Sequence, residues 1–228
     1  MKMERFIQYL IVAGVAIALM STGVFSQDKP SSTSEGTATS PASAQATSAP
    51  FISFKNYPDH TFNVKVKEYI NGMQKGGHNL LIWRDPAVNL SQYSSVKVTE
   101  FGGRLLPEQN AFSYDSYIAL FNSVFRSSLK LSQKESPDSL IIEGAVSECN
   151  PGSRAARYMV GFGAGKAACA VVCEVYEPGK PNPFMRIYTR DTGSMGAFGG
   201  DSVRMLNHIM SELGTRLATT LNTTVGLK

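Results

Sequence analysis

The 228-residue chain is poor in the residues that carry most metal, redox and nucleophilic chemistry: it holds 3 cysteines, 3 histidines and 1 tryptophan. His60, His78 and His208 lie far apart, with no H-x-x-x-H or H-E-x-x-H spacing. That excludes the helix-borne zinc sites of metalloproteases. Cys149, Cys169 and Cys173 include no C-x-x-C pair, which excludes a thioredoxin-type redox motif. G-x-S-x-G is absent, so the usual serine nucleophile elbow is excluded as well. There is no run of Lys or Arg, and the net charge is only +4. Nucleic-acid binding asks for a clustered basic patch, so a scattered, solvated surface is the expectation. The apolar stretch from Tyr9 to Met20 is shorter than the about 20 residues a membrane span needs.

What is present falls into four parts. Residues 1–26 read as an export signal: a basic start (MKMER), an apolar core, and small residues with Val24 and Ser26 placed for cleavage after Ser26. An uncleaved signal anchor is the alternative. Residues 27–50 are Ser, Thr, Ala and Pro with almost nothing to bury, and read as a disordered tether. Residues 51–89 form an accessory segment in which Phe62, Val64 and Val66 share one face of a strand, and LLIW (80–83) is a short apolar run. Residues 90–228 form the main domain.

Within that domain, SSVKVTEF predicts a strand. SYDSYIALFNSVFRSSLKL predicts a helix with Tyr117, Phe121, Val124 and Leu131 on its apolar stripe and Ser113 as N-cap. SLIIEGAVSEC is a second strand, with Ile141, Ala145 and Cys149 on one side and Ile142 and Val146 on the other. AACAVVCEVY and PFMRIYTRDTG are two more, the first closed by a Glu177-Pro178-Gly179 turn. DSVRMLNHIMSELGTRLATTLN is a long amphipathic helix with Val203, Leu206, Met210, Leu213, Leu217 and Leu221 as its stripe and Asp201 as N-cap. The fold class is α+β: a mostly antiparallel sheet of about four strands with two helices on one face.

The segment VGFGAGK (160–166) invites comparison with a phosphate loop. Val160 stands where a P-loop needs its first glycine, and Ala167 where it needs a hydroxyl for magnesium. The valine-rich run that follows predicts a strand, so no helix N-terminus offers free amides to an anion. The glycines read instead as part of a flap between two strands, with Arg154, Arg157, Tyr158, Phe162 and Lys166 as partner-binding residues. Cys169 and Cys173 lie about 13 Å apart along a strand, too far to bridge. Cys149 and Cys169 face each other if their strands form a hairpin, and that disulfide is favoured over Cys149–Cys173 or three free thiols. Glu143, Glu148 and Glu174 sit in strands, where alternation predicts a solvated face for most of them. Arg186, Arg190 and Asp191 read as cross-strand partners on that wet face.

The run from Leu140 to Gly179 with the last helix resembles the bacterial family known as domain of unknown function 4410, over roughly residues 93–222. The most specific pieces are Gly152, Arg157 and Gly161-Phe162-Gly163-Ala164-Gly165. The resemblance implies an exported protein and gives no activity. Members are often lipoproteins, but no cysteine closely follows this apolar run, so lipid anchoring is not carried over. The expectation is an exported cell-envelope protein, periplasmic or extracellular. Its domain is non-enzymatic, binding or structural, and its partner is another envelope component; no cofactor, metal or nucleic acid is implied. Two alternatives stand beside it: a hydrolase using Glu143, Glu148 or Glu174 beside Arg157, and a nucleotide binder through Gly161–Lys166.

Overall fold

A six-stranded mixed sheet organises the residues that this computed structural model describes, which are 53–58, 62–107, 113–152, 166–193 and 201–226. The expected signal and tether lie outside them. The strands are β1 (Gln74–Gly77), β2 (Leu80–Arg84), β3 (Val96–Val98), β4 (Leu140–Asn150), β5 (Ala167–Tyr176) and β6 (Met185–Gly193). The described helices are α1 (Phe62–Tyr69), α2 (Asp115–Ser128) and α3 (Ser202–Thr224). The strand order is β1-β2-β6-β5-β4-β3. Every pair is antiparallel except β3–β4, whose connection runs through α2 and returns in parallel. The α+β class and the mostly antiparallel sheet match the sequence reading; the sheet is larger than four strands because the β1–β2 hairpin adds to the edge of β6.

All ten residues of β5 are buried, because this central strand is covered on both faces. One face carries the helix layer, where α3 packs on α2, β5 and β6. The α3 stripe buries Leu206, Met210, Leu213, Leu217 and Leu221, whereas Val203 is 51% exposed at the helix start. Asp201 caps α3 by accepting from the Val203 N–H at 2.9 Å. A Cβ on Gly214 would stand 3.1 Å from the Phe121 carbonyl oxygen, so the bare backbone there lets α3 lie against α2. Beneath them Phe101, Phe121 and Phe125 form an aromatic cluster with centroids 5.2 to 5.9 Å apart.

Asn122 stitches α2 to the sheet edge. Its buried amide accepts from the Phe101 N–H at 3.0 Å and donates to the Phe101 carbonyl at 2.9 Å, as a neighbouring strand would. Asn122→Ala orphans both backbone groups and should lower stability by about 2 kcal/mol, read by denaturant unfolding.

Two sequence expectations about strand faces are corrected. Residues 62–69 are helix, so Phe62, Val64 and Val66 do not share a strand face. Phe62, Val66 and Tyr69 fall at helical spacing and turn towards the sheet, while Val64 is 87% exposed. In β4, the register slips by one residue between Val146 and Glu148. This bulge inverts the alternation. Cys149 therefore joins Ile142 and Val146 in the helix-side core, and Ala145 faces the other way.

Candidate functional site

The face of the sheet opposite α2 and α3 is built from the even-numbered residues of β5 and β6 and from Ile141, Glu143, Ala145 and Glu148 of β4. Its β5 centre lies under a strap made of residues 53–58 and α1. Phe54, Tyr57, Phe62 and Tyr69 form a second small core there with Leu105, Ala145 and Val172. The Phe62 ring meets those of Tyr57 and Tyr69 edge-on at 5.1 and 5.2 Å.

Under the strap lies Glu174, fully buried, where a solvated carboxylate was the expectation. Each of its oxygens accepts two hydrogen bonds. Oε2 accepts from the Ser53 hydroxyl at 2.6 Å and the Tyr176 hydroxyl at 2.5 Å. Oε1 accepts from the Phe54 backbone N–H at 2.8 Å and the Tyr69 hydroxyl at 3.2 Å. Burial raises the carboxyl's pKa from its ordinary 4.5, and the four donors oppose that rise without cancelling it. Three of these donors come from the strap, so the carboxylate fastens one layer of the fold to another.

The other charges on this face are also committed. The Lys55 ammonium pairs with Glu143 and lies 4.3 Å from the Tyr176 ring centroid. Arg104 donates to the Phe54 carbonyl at 2.8 Å. Arg186, placed on a wet face by the sequence reading, is buried. It stands opposite Glu174 in the ladder, donates to the Tyr69 carbonyl at 3.1 Å, and stacks near Tyr69 and Trp83. Asp191 lies on the helix side and binds Arg216 at 2.7 Å. Burial pushes its carboxyl up, but Arg216 and the Thr192 N–H outweigh that and hold it below the ordinary value.

Beyond the strap the face stays open. Arg190 and Glu148 form a two-pronged pair at 2.7 and 3.0 Å. Next to them stands the half-buried Tyr188, whose hydroxyl burial pushes up to about 12, so it remains neutral. Tyr188 and Arg190 line two shallow grooves. One, of about 380 Å³, runs towards Lys75, Asn79 and Leu81. The other, of about 480 Å³, runs towards Val66, Pro107, Glu148, Cys149 and Asn150.

The sequence-predicted residues distribute as follows. Arg154, Arg157, Tyr158 and Phe162 lie outside the described residues. Lys166 is exposed and leads directly into β5, so a strand, not a helix, follows the glycine segment. A phosphate loop needs a helix N-terminus at that point. Cys149 and Cys169 are partners across β4 and β5. Glu143 and Glu174 are also opposite each other, but they do not converge on an open pocket. Among the described residues no group of three His, Cys, Asp or Glu side chains is placed to hold a metal. No helix of the described residues is long and apolar enough to cross a membrane.

Sequence reasoning missed Ser53, Tyr69, Tyr176 and Tyr188. The one signal for the first three was Glu174 itself, a lone charge in a run otherwise fit for burial on both faces.

No curated protein matches the sequence. Among solved structures, the PelC dodecamer from Paraburkholderia phytofirmans aligns at 12% identity over 62% of this chain and 95% of that chain, with a TM-score of 0.37. A single-substitution variant of the same dodecamer aligns at 13% identity over 61% and 95%, with a TM-score of 0.36. The model of the family described as "Domain of unknown function (DUF4410)" matches residues 121–224, which run from the middle of α2 to the end of α3. Residues 121–224 of this chain are therefore similar to the DUF4410 family.

Proposed function

We propose that the chain is an exported cell-envelope protein whose α+β domain binds another envelope component and does not catalyse a reaction. Its contact surface is the open part of the strap-side face around Tyr188 and Arg190, together with the adjoining flap that carries Arg154, Arg157, Tyr158, Phe162 and Lys166. The observation that supports this reading is the commitment of the strand carboxylates. Glu174 is sealed by four donors, Glu143 is held by Lys55, and Glu148 is held by Arg190. A general acid or base must reach the proton it moves, and these groups are turned to architecture. What remains open is a tyrosine beside a paired arginine, the residue types enriched where proteins meet.

The test is capture from an envelope fraction with full-length protein as bait. Tyr188→Ala and Arg190→Glu should each weaken the captured partner by about tenfold, the size of one good contact. Circular dichroism should stay unchanged, since an exposed ion pair such as Glu148–Arg190 contributes under about 1 kcal/mol. Deletion of residues 154–165 should weaken capture similarly. Equal capture by all three variants contradicts the assignment of this surface.

A further inference from the structure

We infer that Cys149 and Cys169 form an interstrand disulfide that ties together the two ends of the flap. The flap carries the proposed contact residues, so its role as a clamp rests on the reading above; the bond itself rests on geometry.

The two cysteines are direct partners in the β4–β5 ladder. Cα atoms directly opposite in an antiparallel pair lie about 4.5–5.5 Å apart, inside the roughly 4.4–6.8 Å span that a disulfide accepts. Register alone does not bring two side chains to the same face along irregular strands. The bulge between Val146 and Glu148 does so here, turning Cys149 into the helix-side core that already holds Cys169. The sulfur of Cys149 lies within hydrogen-bond reach of the Cys169 thiol, and that contact is the largest influence raising the Cys169 thiol's pKa. The third cysteine is excluded as a partner. Cys173 stands opposite Gly144, which has no side chain to offer, and it is four residues along the strand from Cys169.

The chemistry closes with a disulfide as oxidant. Cys149 keeps 5% exposure and Cys169 none, so Cys149 is the thiol an external disulfide reaches first. Its thiolate attacks one sulfur of that disulfide, giving a mixed disulfide and releasing one thiol. The Cys169 thiolate then attacks the Cys149 sulfur and displaces the second thiol. Two protein thiols are oxidised, their two protons pass to solvent and the leaving thiolates, and one external disulfide is reduced to two thiols. The ring so closed contains the whole segment 150–168, holding the flap's ends together whatever its interior does.

The test equilibrates the purified full-length chain with mixtures of reduced and oxidised glutathione, traps remaining thiols by alkylation, and maps the peptides by mass spectrometry. The expected result is loss of two alkylatable thiols, with Cys173 still free and a Cys149–Cys169 crosslinked peptide recovered. Cys173→Ala should leave the crosslink unchanged, and Cys149→Ser should leave Cys169 alkylatable after unfolding. Three free thiols at every ratio, a crosslink through Cys173, or dimers linked through Cys149 would each overturn the inference. The same trapping on the chain expressed in an exporting host tests the compartment separately. A bond that forms with glutathione but is absent in the host upholds the pairing and counts against export.

Discussion

Replacing Glu174 by Ala is expected to cost about 3–5 kcal/mol and to release residues 53–58 and α1 from the sheet. Removing one side of a buried charged network leaves its partners unsatisfied, and that magnitude follows. Four donors lose their acceptor at once: the Ser53, Tyr69 and Tyr176 hydroxyls and the Phe54 N–H. Arg186 on β6 loses the carboxylate opposite it on β5. The readouts are denaturant unfolding and proteolysis within the strap. Glu174→Gln is the informative control. Its oxygen can still accept from Phe54 and Tyr69, while its NH2 donates to a Ser53 or Tyr176 hydroxyl that has rotated to accept. The glutamine variant should therefore lose under about 1.5 kcal/mol, the worth of a typical hydrogen bond.

The same residue sets a pH dependence of defined sign. Because its folded pKa is raised above 4.5, the folded chain holds this proton more tightly than the unfolded chain does. Its contribution is most favourable below pH 4.5, falls as pH rises through the raised value, and is level above it. Asp191, held below its ordinary 3.8, acts in the opposite sense: its contribution is present above that value and is lost as acid protonates it. The difference between wild type and Glu174→Gln cancels the Asp191 contribution and isolates the falling limb.

Gly144→Ala is the second large effect, at about 3 kcal/mol or more. A Cβ at this position of β4 would stand 2.0 Å from the Phe101 ring and 2.4 Å from the Val172 carbonyl oxygen. The ring belongs to the Phe101–Phe121–Phe125 cluster, and the carbonyl to the central strand, so neither yields cheaply. Overpacking of this kind ordinarily costs about 1–3 kcal/mol, and a backbone clash places it at the upper end or beyond. Phe101→Leu in the same chain should recover part of the loss by removing the ring clash, and leave the part that Val172 imposes. The double variant should thus be more stable than the sum of the single changes by about 1 kcal/mol, a coupling that unfolding curves resolve.

How much of this was legible from the residues follows from which signals are local. The strand character of AACAVVCEVY, the α3 stripe and its Asp201 cap are local properties of composition and spacing, and the structure has them. The β4 bulge is not local: nothing in IIEGAVSEC marks which residue is extra until β5 fixes the register. The expected side for Cys149 is accordingly the wrong face, although the residue does stand opposite Cys169 in the ladder. The strap failed for a related reason. Val64 beside Val66 mimics a strand, and the helix is favoured by the ring contacts of Phe62 and Tyr69 with each other and with Tyr57, in a cluster that packs on Ala145 and Val172 of the sheet. Glu174 defied the rule that strand carboxylates are solvated because three of its four donors come from a segment more than a hundred residues away.

Residues 53–58 and α1 are an integral layer of the domain, latched by a carboxylate that serves structure. Hydrogen exchange at the Phe54 amide tests it most directly. That N–H is predicted to exchange as slowly as amides of β5 in the wild type and to accelerate by orders of magnitude in Glu174→Ala, with β5 itself still protected. Rapid exchange at Phe54 in the wild-type chain would contradict it.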